Sequence, residues 1–162
     1  MTATLSPGVT SYATPTDREV VVTRVVDAPR HLVFDAWTDP RHVPQWLLGP
    51  EGWTMPVCEI DLRPGGSWRY VWRKSNGTEM AMSGAILEVV RPERMVTTER
   101  WGPEWPETIN TVVFTESGER TAITLTILYP SREARDAALE TGMKDGIEQS
   151  FGRLDRLLRT MR

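Results

Sequence analysis

The segment SWRYVWRKSNGTEMAMSGAILEVV (residues 67–90) decides the fold, because it reads as a long antiparallel hairpin with one aromatic face. Successive side chains of a strand point to opposite sides, so three large rings share one face of the first strand: Trp68, Tyr70 and Trp72. Asn76-Gly77 is the strongest short signal for a hairpin turn. The second strand follows at residues 79–90 and brings Met80 and Met82 beside the aromatic row.

Further strands lie on both sides of this hairpin. The β-branched and aromatic runs at residues 19–27, 53–62, 94–101, 108–115 and 121–129 each predict a strand. Gly- and Pro-containing turns separate the strands that follow residue 53. These strands predict an antiparallel meander, with the first strand free to join the sheet at an edge.

Helices are predicted between the first two strands and at the end of the chain. Pro29 suits the first position of a short helix, Asp39 is expected to cap a second, and Pro44 is expected to kink or break the second. Apolar residues at three-and-four spacing predict a long helix over residues 141–161, roughly 30 Å in length. The expected fold class is therefore α+β, with a curved antiparallel sheet of about seven strands wrapped around the long C-terminal helix and two short helices between the first two strands.

Length and composition restrict the domain organisation and the partners. Residues 1–17 are small and polar and are expected to form a flexible tail, which leaves one domain over residues 18–162. A net charge of −3 argues against nucleic acid as a partner, and no apolar run approaches the roughly 20 residues of a membrane span. The single cysteine, Cys58, and the lack of a secretory signal indicate a cytoplasmic location.

The aromatic stripe has two interpretations, a solid core and the wall of a ligand cavity. We expect it to face the long helix, whose three glycines, at 142, 146 and 152, would thin the helix there or leave space. Trp, Tyr and Met line adaptable sites more readily than they make a rigid core, which tips the balance slightly toward a cavity. The predicted ligand-binding residues are Trp68, Tyr70, Trp72, Met80, Met82, Trp101, Met143, Ile147 and Phe151.

Sequence motifs identify no catalyst, metal site or cofactor site. His31 and His42 lack a second ligand at metal spacing, and Cys58 has the pattern of a buried structural thiol. We therefore predict no catalytic residue, no metal and no cofactor. Four polar strand residues are nevertheless candidates for acid–base work if they point into a cavity: Glu59, Glu99, Asn110 and Tyr70.

Several longer motifs resemble one known family. FDAWTDPRHVPQWLLGPEGW (34–53), DLRPGGSWRYVW (61–72) and GAILEVVRPERMVTTERW (84–101) are similar to signatures of the START-like (SRPBCC) superfamily. The resemblance is greatest to the branch of homologues of the heat-shock-protein ATPase activator C-terminal domain, and it covers residues 19–160. It implies a helix-grip fold and a pocket for an apolar molecule between the sheet and the long helix.

Three functions follow as alternatives. The first is non-catalytic binding of a hydrophobic or aromatic small molecule. The second is an enzyme of the polyketide cyclase or aromatase kind, which would need a shaped pocket and one or two acid–base groups. The third is a chaperone-associated interaction module, for which fold analogy alone is weak support. A homodimer is compatible with all three.

Overall fold

The computed structural model describes residues 7–161, which form one eight-stranded antiparallel sheet and four helices. The strands are β1 (Thr10–Ala13), β2 (Glu19–Val26), β3 (Trp53–Ile60), β4 (Ser67–Lys74), β5 (Glu79–Val90), β6 (Arg94–Glu99), β7 (Thr108–Ser117) and β8 (Arg120–Leu128). The helices are α1 (Arg30–Thr38), α2 (Val43–Trp46), α3 (Arg132–Leu139) and α4 (Met143–Met161). The order across the sheet is β1-β2-β8-β7-β6-β5-β4-β3, which confirms the predicted meander. Strand β2 joins the meander beside β8, and β1 rather than β2 is the edge strand.

Part of the predicted flexible tail is a strand instead. Thr10–Ala13 pair antiparallel with residues 21–24 of β2. The Tyr12 hydroxyl donates to a carboxylate oxygen of Glu148 at 3.2 Å, and this bond ties β1 to α4. The polar composition of residues 10–13 does not predict a strand, because the contacts that stabilise β1 come from residues far away in the sequence. The first six residues of the predicted tail lie outside the described range.

The apolar stripe of α4 is buried against one half of the sheet and against α1 and α2. Phe151, Leu154 and Leu158 are each at most 3% exposed and pack in a cluster with residues of β2, β7 and β8. Burial of each large apolar side chain contributes roughly 1.5–3 kcal/mol, so this cluster is the main attachment of the helix. The cluster also includes Phe34 of α1 and Trp46 of α2.

The aromatic stripe of β4 does not pack on α4, contrary to expectation. Trp68, Tyr70 and Trp72 belong to a second cluster, with Val43 of α2 and Met55 of β3, and in the described residues this cluster includes no side chain of α4. The short helix α2 contributes to both clusters, through Val43 to one and Trp46 to the other. The chain between α1 and β3 therefore lies between the stripe and the long helix.

The glycines near the last helix do not meet the aromatic rings either. Gly142 precedes α4 with a φ of +77°, and a Cβ at Gly146 would lie 3.6 Å from Pro50. At Gly152 the nearest atom would be Nη1 of Arg156, 3.9 Å away. The prediction that these glycines thin the helix over the stripe is wrong.

One helix was not predicted. Helix α3 begins after Ser131, whose hydroxyl accepts a hydrogen bond from the backbone N–H of Ala134. Such a cap satisfies one of the free N–H groups of a first turn. In the part of the chain that is described, no helix is both long enough and apolar enough to cross a membrane.

Candidate functional site

The aromatic stripe lies on the inner face of β4 and is held by contacts at both ends. The exposed fractions of Trp68, Tyr70 and Trp72 are 7%, 9% and 4%. Neighbouring ring centroids are 4.8 Å and 5.8 Å apart along the row. The indole N–H of Trp68 donates to the carbonyl oxygen of Thr98, and that of Trp72 donates to the carbonyl oxygen of Leu47. The rings are therefore fixed by backbone partners as well as by packing.

The remaining predicted ligand-binding residues separate into three groups. Met82 packs with the stripe. Met143, Ile147 and Phe151 pack with the other cluster, beneath α4. Met80 and Trp101 are 39% and 37% exposed and lie at the rim. Met80 is the strand partner of Trp72, and Trp101 stacks on the Trp72 ring. Partly buried Leu47, Leu62 and Val89 contact both clusters and mark the junction between them.

Glu99 is a polar side chain on the inner face of the sheet, at the end of β6. It pairs in register with Thr108, which together with Asn110 is buried on the inner face of β7. The Trp101 indole donates to Oε1 of Glu99 at 2.6 Å, and the Asn110 amide donates to Oε2. Thr108 in turn donates to the side-chain oxygen of Asn110 at 2.9 Å. This chain of bonds orients the carboxyl group.

Burial raises the pKa of Glu99 to about 7, although the hydrogen bonds from Trp101 and Asn110 act in the opposite direction. Both donors are neutral and leave the charge uncompensated. Within residues 7–161, no lysine, arginine or histidine forms an ion pair with this carboxyl. A carboxyl group in this environment changes protonation near neutral pH.

Two phenols lie within electrostatic reach of Glu99. Burial, followed by the nearby charges of Cys58 and Glu99, raises the pKa of Tyr70. Burial and the charge of Glu99 raise the pKa of Tyr129 to about 12. The Tyr129 hydroxyl contacts Sδ of Met143 at 4.0 Å, whereas the Tyr70 hydroxyl has no hydrogen-bond partner among the described residues. Both phenols therefore stay protonated at neutral pH and can donate.

Cys58 pairs with Tyr70 in register and faces the same cluster. Burial raises the pKa of its thiol to about 11, with smaller contributions from Asp39 and Glu59. A neutral thiol is a poor nucleophile at physiological pH, which agrees with the expected structural role.

The acidic residues of β3 and of the turn after it point outward. Glu59 lies 3.4 Å from Arg69 in an exposed ion pair, and Asp61 pairs with Arg63. The register of β3 shifts between Thr54 and Val57. This bulge allows Met55 and Cys58 to face the same cluster, which strict alternation from the sequence could not predict.

The acid–base candidates are therefore only partly brought together. Glu99 and Asn110 are in contact and Tyr70 is nearby, but Glu59 is on the opposite face. Sequence reasoning missed Tyr129 as a member of this group, although the period-two run that ends in Tyr129 places it on the inner face. We refer to Glu99, Asn110, Tyr70, Trp72, Trp101 and Tyr129 as the Glu99 centre.

Two clefts lie away from this centre. One has a volume of about 700 Å³ and is lined by Thr16, Asp17, Arg18, Glu19, Leu128 and Arg132. The other, of about 190 Å³, is lined by Glu51, Gln149, Gly152, Arg153 and Arg156. Neither includes a predicted ligand-binding residue. In the described residues, no three His, Cys, Asp or Glu side chains are grouped as a metal site would require.

Comparisons with known proteins agree with this architecture. A family model described as "Activator of Hsp90 ATPase homolog 1-like protein" matches residues 27–159. A solved structure from Rhodobacter sphaeroides is 24% identical with a TM-score of 0.89, over 93% of this chain and 98% of that chain. One from Mycobacterium smegmatis is 25% identical with a TM-score of 0.80, over 91% and 95%. An AHSA1-like protein from Aeromonas hydrophila is 16% identical with a TM-score of 0.70, over 85% and 93%. No curated protein matches the chain.

Proposed function

Because the chain belongs to the Activator of Hsp90 ATPase homolog 1-like family, we propose that it binds a hydrophobic or aromatic small molecule between the sheet and its helical cover. The binding site would be the Glu99 centre, at the junction of the two apolar clusters. Scaffolds of this superfamily typically bind ligands, and the six side chains of the centre supply large rings with a few polar groups. Small-molecule sites generally have this composition.

The observation that carries the proposal is the position of Glu99 among aromatic rings. A carboxyl group placed there destabilises the fold relative to an apolar residue unless it is well satisfied. On β7, the strand paired with β6, the inner face becomes apolar beyond Asn110, at Val112 and Phe114. A carboxyl group such as that of Glu99 adds nothing to the packing of a solid core, so we infer that it contacts a ligand.

The two tryptophans of the loop 100–107 provide a matched test. Trp101 and Trp105 are exposed to nearly the same extent, 37% and 38%, but only Trp101 stacks on Trp72 in the described contacts. We would measure the tryptophan fluorescence of the wild type, Trp101→Phe and Trp105→Phe during titration with laurate, naringenin and 2-naphthol. Native mass spectrometry of the purified protein would show any co-purified molecule.

Binding at the Glu99 centre predicts a saturable fluorescence change with at least one probe, retained in Trp105→Phe and strongly reduced in Trp101→Phe. A change lost only in Trp105→Phe would place the ligand elsewhere. No bound mass and no saturable change with any probe would contradict the proposal and favour the chaperone-associated module. Sedimentation of the protein alone and with a purified Hsp90-type chaperone would then test self-association and that partner.

An enzyme of the cyclase or aromatase kind is the second candidate, and the chemistry of Glu99 favours it. A carboxyl group with a pKa of about 7 can both accept and donate a proton at neutral pH, and Tyr70 beside it is a neutral donor. In that case Glu99→Gln would abolish conversion of a polyketide-like substrate, followed by mass spectrometry, while leaving its binding within a few fold. Equal conversion by Glu99→Gln and wild type would exclude this role for Glu99.

A further inference from the structure

The electrostatics of the Glu99 centre restrict the chemical class of the ligand, on the premise that the proposed function is correct. Glu99 accepts hydrogen bonds from two neutral donors, Trp101 and Asn110, and in the described residues it has no ion-pair partner. Arg100, the next residue, is exposed. Glu99 is partly buried. A partly desolvated carboxylate without a cation is costly, so it gains most from a ligand that supplies a positive charge.

The rings around Glu99 can attract a cation only through the faces that do not stack on one another, because ring edges are electropositive. The indoles of Trp72 and Trp101 are parallel within 7° and 5.4 Å apart, and Tyr70 meets Trp72 edge-on at 83°. The faces of aromatic rings attract ammonium groups, and the attraction is strongest for tryptophan and in desolvated sites.

Elsewhere in the described residues, four aromatic rings carry one of the protein's own cations. The pairs are Lys74 over Trp53, Arg91 over Phe34, Arg24 over Phe151 and Lys144 over Tyr12, each between 4.7 and 5.3 Å from the ring centre. Among the described residues, no lysine or arginine lies over the rings of Tyr70, Trp72, Trp101 or Tyr129. The rings of the Glu99 centre therefore carry no cation of the protein, and they lie beside a carboxyl group that only neutral donors contact.

We propose that the ligand of the Glu99 centre is a protonated amine attached to an aromatic or other apolar body. The ammonium group would pair with the Glu99 carboxylate, and the apolar body would lie against the rings of Trp72 and Tyr70. The half-exposed Trp101 and Met80 at the rim give the direction of entry. An anionic ligand, such as a fatty acid, would place its carboxylate beside that of Glu99 and is disfavoured by charge repulsion.

Three probes that differ mainly in charge separate this inference from the proposed function. We would measure the affinities of 2-phenylethylamine, 2-phenylethanol and 3-phenylpropionate by isothermal titration calorimetry at pH 8. The amine is expected to bind at least about tenfold more tightly than the alcohol, and the anion more weakly than either. Glu99→Gln should remove the preference for the amine, whereas Glu59→Gln, the same change in an exposed ion pair, should retain it.

The pH dependence of the wild type gives a second measurement that no folding defect can obscure. Phenylethylamine remains protonated below about pH 9, as lysine does. Tyr70, Tyr129 and Cys58 face Glu99 or its neighbours and stay neutral between pH 6 and 8. Protonation of Glu99 should therefore weaken amine binding about tenfold from pH 8 to pH 6. The alcohol serves as the control for any effect of pH on binding that does not depend on the charge of the amine.

The outcomes are distinguishable. Equal affinities for the amine and the alcohol, or tighter binding of the anion, would overturn the amine inference and leave the proposed function in place. An amine preference that persists in Glu99→Gln, or that does not change with pH, would also overturn it. Failure of all three probes, together with failure of laurate, naringenin and 2-naphthol, would contradict the proposed function itself.

Discussion

The indole of Trp101 stacks on that of Trp72 with the ring centroids 5.4 Å apart and the planes within 7°. Trp101 also donates its N–H to the Glu99 carboxyl at 2.6 Å, while Trp72 donates to the carbonyl oxygen of Leu47 at 2.8 Å. This pair of rings thus connects the end of β6 to the C-terminal end of α2. A change at either ring should be detectable at Glu99 and in the packing of α2.

The first prediction concerns the hydrogen bond from Trp101. Trp101→Phe removes a donor that stabilises the charged carboxylate, so the pKa of Glu99 should rise further. The free energy of unfolding should fall by about 1 kcal/mol, since the bond is partly exposed to solvent. Titration of the glutamate carboxyl carbons by NMR and urea unfolding would measure both effects. Trp105→Phe is the control. Equal effects in the two variants would contradict the hydrogen bond from Trp101 to Glu99.

The second prediction follows from proton linkage. The pKa of Glu99 is about 7 in the folded protein and has an ordinary value of 4.5, so the folded state binds more protons between these values. The contribution of Glu99 to stability is therefore complete below about pH 4.5 and is lost as the pH rises through 7. Between these pH values, the free energy of unfolding of the wild type should fall by on the order of 1–3 kcal/mol relative to that of Glu99→Gln.

Urea unfolding at half-unit steps from pH 4.5 to 8 would test this linkage, with Glu59→Gln as a matched control on the outer face. The difference in the free energy of unfolding between wild type and Glu99→Gln should vary with pH. The corresponding difference between wild type and Glu59→Gln should stay small. A pH-independent difference for Glu99→Gln would show that Glu99 titrates normally in the folded protein.

The third prediction compares two ion pairs of the same length. Arg24 lies 2.5 Å from Asp155, with side chains 5% and 23% exposed, and its Nε is buried without a partner. Arg73 also lies 2.5 Å from its partner Glu79, but these side chains are 51% and 47% exposed. Arg24→Met should lower the free energy of unfolding by about 2–4 kcal/mol, because it leaves the poorly solvated carboxylate of Asp155 unpaired.

Arg73→Met should cost no more than about 1 kcal/mol because water replaces the lost partner. Thermal and urea unfolding of both variants at pH 7.5 would give the comparison. Adding Asp155→Leu to Arg24→Met should recover part of the loss, since no unpaired charge then remains. Similar costs for the two single variants would mean that Arg24 is hydrated in solution.

The fourth prediction concerns two glycines. A Cβ at Gly84 in β5 would lie 1.8 Å from the carbonyl oxygen of Thr98, which accepts the Trp68 indole bond. Gly84→Ala should therefore destabilise the protein by at least about 1–3 kcal/mol and disturb the aromatic stripe. Loss of the near-ultraviolet circular dichroism of the tryptophans would report that disturbance.

Gly152→Ala is the matched variant, because the new Cβ would make only an ordinary contact 3.9 Å from Nη1 of Arg156. Alanine is favoured over glycine inside a helix by up to about 1 kcal/mol, so this variant should be more stable than the wild type. A stable Gly84→Ala protein with unchanged circular dichroism would contradict the close approach of β5 and β6 at this point.

The sequence by itself determined the architecture, because alternation, turn residues and helical spacing are local properties. The hairpin at 67–90, the strands that follow it and the long last helix were all predicted from such patterns, and the sheet order confirms the meander. The inward direction of Trp68, Tyr70 and Trp72 also follows from alternation alone. Local signals failed where support is distant, as in β1, which depends on pairing with β2 and on the bond from Tyr12 to Glu148.

Only the tertiary structure decided what the aromatic stripe faces and which polar group joins it. Packing of α2 between the stripe and α4 depends on how three elements fill one volume, which no local pattern records. The bulge in β3 turned Glu59 outward, and the pairing of β6 with β7 brought Glu99 to Asn110. The properties of Glu99 arise from desolvation by residues far apart in the chain, and desolvation exists only once the chain has folded.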